Sequence, residues 1–273
     1  MDENLERIEV GLLLQGIYAQ YGYDFRNYAY PVIRRRVWHR IQAERLETIS
    51  GLQEKVLHDP SCVKRLVSDF SIAVTEMFRD PHFFLSLRQR ILPRLHAWEA
   101  IRVWVAGCSS GEEVYSVSIL LREEGLANRT EIYATDMNPD GLQKAQNGVY
   151  SLDVMQTYTS NYLRSGGRHV FSDYYTASSR GAAFRPELIE HVVFAQHNLA
   201  TDRAFHTFHL ILCRNVLIYF NGVLQKEVFD LFHQSLVTGG FLGLGDAESI
   251  SISDIRYNYE RADPLQKWYR RIK

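Results

Sequence analysis

The first third of the chain is patterned as helices. Leu5, Ile8 and Leu12 recur at helical spacing, and Gly22 is placed to end that helix. A second helix is expected over residues 32–46. It puts Ile33, Val37 and Ile41 on one face and Arg35, Arg36, His39 and Arg40 on the opposite one. Asp59-Pro60 reads as a cap followed by proline at the first helical position, opening a third helix through Phe70. After a junction at 71–81, Asp80-Pro81 leads into a helix over 83–92.

Beyond the junction, short apolar runs bounded by turn residues alternate with helical patterns, which predicts an α/β sheet. Strands are expected at 101–106, 131–135, 191–195, 208–213 and 241–244. The run at 208–213 is almost continuously apolar, as a buried parallel strand requires. Helices are expected up to about 124, from Asn138-Pro139 onward, and over 223–237, with Gly239-Gly240 turning the chain into the last of these strands. Residues 149–190 break the rhythm. Short helices there precede a hairpin whose turn is Ser-Ser-Arg-Gly at 178–181. The tail reads as a closing hairpin turning at Asp263-Pro264. The layout is therefore a helical domain and linker over 1–80 and a sheet domain over 81–273, with a small β-subdomain inserted around 160–190.

The candidate chemistry gathers at residues 102–113, Arg-Val-Trp-Val-Ala-Gly-Cys-Ser-Ser-Gly-Glu-Glu. A strand stops at Gly107, a second glycine follows at Gly111, and a helix begins at once. Gly107 and Gly111 let a flat ligand approach the backbone. The first strand-to-helix turn of an open sheet is where nucleotide-like ligands bind. Ser109 or Ser110 is placed to cap the helix, with Glu112 and Glu113 completing a capping box. The spacing is not the dinucleotide pattern G-x-G-x-x-G, and two carboxylates at a helix start repel phosphate. They suit a cationic nucleoside without phosphate, such as S-adenosylmethionine, although helix stabilisation alone also accounts for them. Asp136 ends the second strand, 29 residues after Gly107. There it is placed to accept both ribose hydroxyls, while Asn138 serves as the cap of the next helix. Thr75 and Arg79 are the polar candidates at the domain junction, where ligand sites often close.

Composition narrows the partners. Hydrophobic residues make up 46% of the 273, and the formal net charge is −1. That excludes a global pull toward nucleic acid or membrane, so the dense one-signed face of residues 35–40 points instead to a local acidic partner. Cys62, Cys108 and Cys213 are isolated, with no spacing for disulfides or zinc. The start Met-Asp-Glu-Asn lacks a signal-peptide pattern, and no apolar run is long enough to span a bilayer. A cytoplasmic setting without membrane insertion is expected.

Five motifs occur in order: Thr-Glu-Met-Phe-Arg-Asp at 75–80, Gly-Cys-Ser-Ser-Gly-Glu-Glu-Val-Tyr-Ser at 107–116, Ala-Thr-Asp-Met-Asn at 134–138, His-Asn-Leu at 197–199 and Cys-Arg-Asn-Val-Leu-Ile-Tyr-Phe at 213–220. Over nearly its full length the chain resembles the bacterial chemoreceptor glutamate methyltransferases, the CheR family. The resemblance implies a Rossmann-like, S-adenosylmethionine-dependent methyltransferase sheet behind a helical domain, with S-adenosylhomocysteine as product. It carries cofactor contacts onto Thr75, Arg79, Gly107, Glu112, Asp136, Asn198, Leu199, Arg214 and Asn215. Tyr219 matches the tyrosine that the family places near the transferred methyl, and Arg79 is the second catalytic candidate. The implied partner is the acidic helical bundle of a chemoreceptor's cytoplasmic region, met by Arg35, Arg36 and Arg40. The inserted hairpin is a candidate dock for a receptor C-terminal peptide. Three positions depart from the family pattern. Ala73 stands for a usual asparagine, Val114 for a proline, and Gly-Asp-Ala-Glu at 245–248 for Gly-His-Ser-Glu. The first removes a side-chain hydrogen bond worth about 0.5–1.5 kcal/mol.

A carboxylate acceptor is already ionised near neutral pH, so the lack of a Ser/His/Asp or metal constellation fits methyl transfer to glutamate. Two other readings use the same residues. One is a methyltransferase for nucleic acid or a small molecule, which the missing Asn-Pro-Pro-Tyr-type tetrapeptide and the net charge disfavour. The other is a cofactor-bound scaffold or sensor, for which Ala73 is the main support.

Overall fold

The computed structural model describes residues 2–71 and 75–273; Ala73, where the sequence departs from the family pattern, lies outside them. Four helices form the N-terminal part: α1 (Glu3–Tyr21), α2 (Tyr30–Ala43), α3 (Ile49–His58) and α4 (Pro60–Phe70). Gly22 ends α1 in the left-handed conformation, φ 78°. Asp59 caps α4 through the Ser61 N–H, with Pro60 in its first turn. Val10, Leu13, Leu14 and Ile17 of α1 pack with Ile33, Val37 and Ile41 of α2 and with the apolar residues of α3 and α4. The residues that mark the helical spacing, Leu5, Ile8 and Leu12, are about half exposed. Helix α1 carries two apolar stripes, and packing against α3 selects the other one. Buried Glu6 lies on the selected side, where Arg34, Tyr30 and Trp38 all donate to its carboxylate.

The basic face of α2 also differs from expectation. Arg35 and His39 are exposed and Arg36 is half-buried. Arg40 turns inward, its side chain only 11% exposed, and pairs with Asp69 at 2.7 Å and Glu44 at 3.2 Å. It is a brace between helices and not part of a free basic surface, because Glu44 at the end of its own helix and Asp69 of α4 both lie within its reach.

The second part begins with α5 (Pro81–Ser86), a π-helical turn at Leu87–Ile91 and α6 (Leu92–Leu95). The sheet elements follow: β1 (Ile101–Ala106), α7 (Glu112–Glu123), β2 (Thr130–Asp136) and α8 (Pro139–Asn147). After them come β3 (Val149–Tyr150), α9 (Met155–Arg164), β4 (Tyr175–Ser178), β5 (Gly181–Phe184), β6 (Val192–Gln196) and β7 (Phe208–Cys213). The chain closes with α10 (Gly222–Ser235), β8 (Leu236–Leu244), β9 (Tyr259–Arg261) and β10 (Trp268–Arg271). The main sheet has the order β6-β2-β1-β7-β8-β10-β9. Its first five strands are parallel, and β10 and β9 form an antiparallel edge.

Alternate residues of the central strands feed two different cores, as a pleated strand demands. Val103, Val105, Leu210 and Leu212 lie on one side. Trp104, Ala106, Ile211 and Cys213 lie on the other. That two-sided burial is why the run at 208–213 reads as continuously apolar. Strand β8 is longer than its sequence suggests. Gly239 takes φ 86° inside it, and the pairing shifts from Phe208–Leu236 to Leu210–Phe241. The two glycines make an irregularity within a strand instead of a turn before one, and α10 stops at Ser235.

The insertion is a three-stranded antiparallel sheet, β3-β5-β4. Its hairpin joins β4 to β5, while Phe171–Tyr174, expected to extend the hairpin, forms a 3-10 turn. Glu123 at the end of α7 anchors this subdomain. Its buried carboxylate accepts from Tyr162, from Tyr174 at 2.7 Å and from Arg88.

Candidate functional site

The order of the sheet reverses between β1 and β7, and in open α/β sheets such a reversal leaves a crevice at the carboxyl ends of the strands. A cavity of about 670 Å³ lies there. The turn after β1 forms its floor. A Cβ on Gly107 (φ 77°) would sit 2.6 Å from Val216, and one on Gly111 (φ 95°) would sit 2.6 Å from Ala145. Glycine is therefore required at both positions, by backbone conformation and by space. The capping box does not form. Gly111 occupies the cap position without a side-chain bond, and the Ser110 hydroxyl turns to the Glu112 carboxylate at 2.8 Å. Ser109 is held at φ 51°, and its N–H donates to Asp136 at 2.8 Å.

Asp136 ties this turn to the end of β2. One oxygen accepts from Ser109 and the other from Asn138 N–H at 2.9 Å. Burial pushes its carboxyl above the usual range, against the pull of the backbone donors. Each oxygen keeps acceptor capacity toward the cavity. Asn138 caps α8 through the Asp140 N–H.

The structure brings Thr75, Arg79, Gly107, Asp136, Asn198, Leu199, Arg214, Asn215 and Tyr219 together around this one cavity. Glu112 is not among its lining residues. It is 6% exposed, and burial raises its pKa. Its neighbour Glu113 lines the cavity instead and pairs with Arg214 at 2.7 Å. Helix geometry decides between the two, because adjacent residues point about 100° apart. Arg35, Arg36 and Arg40 lie on α2 and do not line the cavity.

Arg214 is a hub. One amino group meets Glu113, and the other donates to Asp80 at 2.7 Å and to the Arg79 carbonyl at 3.0 Å. The guanidinium lies 4.1 Å from the Phe83 ring centroid. It binds the junction at 79–80 to the end of β7. Asp80 (φ 57°) serves this pair and does not cap α5 with its side chain.

Three lining or bracing residues were not among the predicted site residues. Glu113, expected only as one of two carboxylates at the helix start, is one. Glu248 is the second: buried to 4% exposure, its carboxylate accepts from the N–H groups of Gly245, Asn215, Val216 and Leu217. The motif at 245–248 was its signal. Tyr28, from the segment before α2, is the third. No local pattern marks it, because it reaches the site only through tertiary contact. There Ala29 N–H donates to the Tyr219 carbonyl at 2.8 Å, and Asn221 N–H to the Asn27 carbonyl at 2.9 Å.

This geometry can be set beside known proteins. Residues 73–263 match the family model described as CheR methyltransferase, SAM binding domain, and residues 8–71 match CheR methyltransferase, all-alpha domain. The chain belongs to the CheR methyltransferase family. It is 50% identical over 260 residues to "Putative methyltransferase Cher3" of Pseudomonas putida, spanning 95% of this chain and 94% of that one. It is 30% identical to "Chemotaxis protein methyltransferase" of Listeria innocua, covering 84% and 85% of the two chains. "Chemotaxis protein methyltransferase 1" of Pseudomonas aeruginosa is 28% identical, covering 82% and 84%.

As a CheR-family member the chain is an S-adenosylmethionine-dependent methyltransferase with an α/β fold. The cavity fits that cofactor. The Glu113 carboxylate at the start of α7 would meet a phosphate with like charge, while Asp136 has acceptors suited to a ribose and Met137 and Leu199 supply apolar wall. Among the described residues, no helix is long and apolar enough to cross a membrane.

Proposed function

We propose that this chain methyl-esterifies glutamate side chains of a bacterial chemoreceptor, with Tyr219 and Arg79 at the reacting centre. The bound cofactor supplies a methyl group activated on a sulfonium. The observation that carries the reading is the convergence of Arg79, Asn215 and Tyr219 on the nucleoside-type cavity. These are donors suited to orienting a carboxylate, and an ionised glutamate needs no general base. Rate then comes from alignment. Arg214, occupied by Glu113 and Asp80, acts by holding the junction that carries Arg79. Asp136 holds the ribose, and Thr75, Gly107, Asn198, Leu199 and Asn215 complete the cofactor's surroundings.

On the receptor side, Arg35, Arg36 and His39 of α2 face an acidic helical bundle in the cytoplasm. Exposed charges of this kind steer encounter and set orientation. Strand β4 is an edge of the inserted sheet, and an edge accepts an extended peptide by strand addition. That makes it the place for a receptor C-terminal peptide. The two backbone hydrogen bonds joining residues 27–29 to 219–221 support a shared role for both parts in presenting the acceptor.

The test is transfer of labelled methyl to candidate receptor fragments. Base-labile label on the receptor is the expected result. Stable label on another molecule, or none with an otherwise folded protein, overturns the proposal.

A further inference from the structure

The helical part does more than cover the sheet. Tyr28 packs against two cores at once, that of the helices and that of the α10 side of the sheet. Its ring meets Phe25 at 5.1 Å and Phe220 at 4.9 Å, both edge to face. A single bridge pairs the backbones of Tyr28 and Phe220. The ring is therefore held in place, and its edge lines the cavity beside Asp136 and Met137.

Its hydroxyl is poorly served. Among the described residues its hydrogen-bond partner is the Met137 sulfur at 3.5 Å, and a thioether is a weak acceptor. Burial, and after it the carboxylates of Asp136 and Asp24, raise the Tyr28 pKa. The phenol thus stays protonated and remains a donor. A half-buried donor on a weak acceptor, facing a polar cavity, gains by exchanging that partner for an oxygen or nitrogen of a ligand.

We propose that Tyr28 is a cofactor-binding residue supplied by the helical part, its hydroxyl leaving the Met137 sulfur to donate to the adenosine half of the cofactor. Adenosine is the half concerned because Met137 directly follows Asp136; the inference rests on the reading of Asp136 as the ribose residue. Cofactor binding then bridges the two parts of the chain. The same segment holds the Tyr219 carbonyl through Ala29, so the bridge reaches the reacting centre.

The test compares the wild type, Tyr28→Phe and Asp136→Asn by calorimetry with S-adenosylhomocysteine. Phenylalanine keeps the ring between Phe25 and Phe220, so the fold is retained. The expected result is a Kd raised about 2- to 12-fold in Tyr28→Phe, the ratio matching one ordinary hydrogen bond. The rise in Tm at saturating ligand gives a second reading if the free variant melts lower. A Kd equal to wild type in Tyr28→Phe, with Asp136→Asn weakened, overturns the proposal and leaves the ribose reading standing. If Asp136→Asn also binds like wild type, or the wild type itself does not bind, the cofactor placement falls and the Tyr28 role with it.

Discussion

The carboxylate of Glu248 accepts the N–H of Asn215 at 3.1 Å. Asn215 sits at φ 59°, a left-handed conformation that costs a residue other than glycine about 1 kcal/mol or more. The same carboxylate takes Val216 at 2.9 Å, Leu217 at 2.8 Å and Gly245 at 2.7 Å. Four donors on one buried group over-determine the turn that carries the chain from Arg214 to Tyr219. The strain is held by Glu248, which follows the next strand of the sheet.

Glu248→Gln tests this brace. An amide has one accepting oxygen and sets its NH2 against two of the N–H groups. Stability should fall by about 1–3 kcal/mol, and methyl transfer should slow at least about tenfold as Tyr219 loses its position. Urea unfolding and label incorporation measure the two effects. Lower stability with wild-type turnover would reduce Glu248 to a structural brace with no bearing on the reaction.

Asp136→Asn should weaken S-adenosylhomocysteine binding by roughly 1.5–3 kcal/mol, the range for a charged hydrogen bond. Asparagine is preferable to alanine because Asp136 also receives the N–H groups of Ser109 and Asn138. Burial raises the Asp136 pKa. Wild-type affinity is therefore complete above that raised value and declines as pH falls through it, starting above the ordinary aspartate range. Calorimetry over pH 4–8 checks the sign, and a pH-independent Kd would remove Asp136 from the cofactor contact.

Tyr219→Phe should fold and bind S-adenosylhomocysteine normally while transferring methyl more slowly. Its backbone link to Ala29 survives the substitution, because that bond uses the main-chain carbonyl. Single-turnover rates with a receptor fragment decide the matter; a rate equal to wild type makes Tyr219 a packing residue.

Reversing Arg35 and Arg36 to Glu should raise the apparent KM for receptor and flatten its salt dependence, with cofactor affinity unchanged. Neither residue lines the cavity. Exposed pairs are individually weak, so the signal lies in encounter and orientation. Arg40 is left intact, since its pairs with Asp69 and Glu44 support the helices. Salt profiles that overlay those of the wild type would return this surface to ordinary solvation.

Glu44 gathers Arg65 at 2.7 Å, Lys55 at 2.8 Å and Arg40 at 3.2 Å. The Arg65 hydrogen bond, and then that from Lys55, lower its pKa to about 2. A depressed folded-state pKa contributes stability that is full above the unfolded value, near 4.3, and is lost as pH falls toward 2. Glu44→Gln should therefore destabilise the protein at pH 7 and make its acid unfolding less steep between pH 4.5 and 2. Thermal melts across that range would show it, and parallel wild-type and variant curves would exclude it.

Much of the site could be read from residue order alone. The turn from Gly107 to Gly111, Asp136 closing a strand and the segment at 213–220 each depend on neighbours within a few positions, so the pattern is local. Glu112 against Glu113 was not legible. Both suit a helix start, and only the rotation of α7 relative to β7 brings Glu113 to Arg214. Which face of α1 is buried was not legible for a related reason. Either apolar stripe satisfies the period, and contact with α3 makes the choice.

By itself, the sequence determined the α/β order of elements, the glycine turn, the polar ends of the strands and the helical N-terminal part. These follow from periodicity, capping and backbone restriction, all of which act over a few residues. Tertiary structure decided what depends on distant partners: Arg40 drawn inward by Asp69, Glu248 gripping the turn at Asn215, and Tyr28 brought to the cavity wall. Those contacts span from 29 residues for Arg40–Asp69 to 109 for Tyr28–Met137. No local propensity specifies them, because their free energy arises only when the packed sheet and helices bring the groups together.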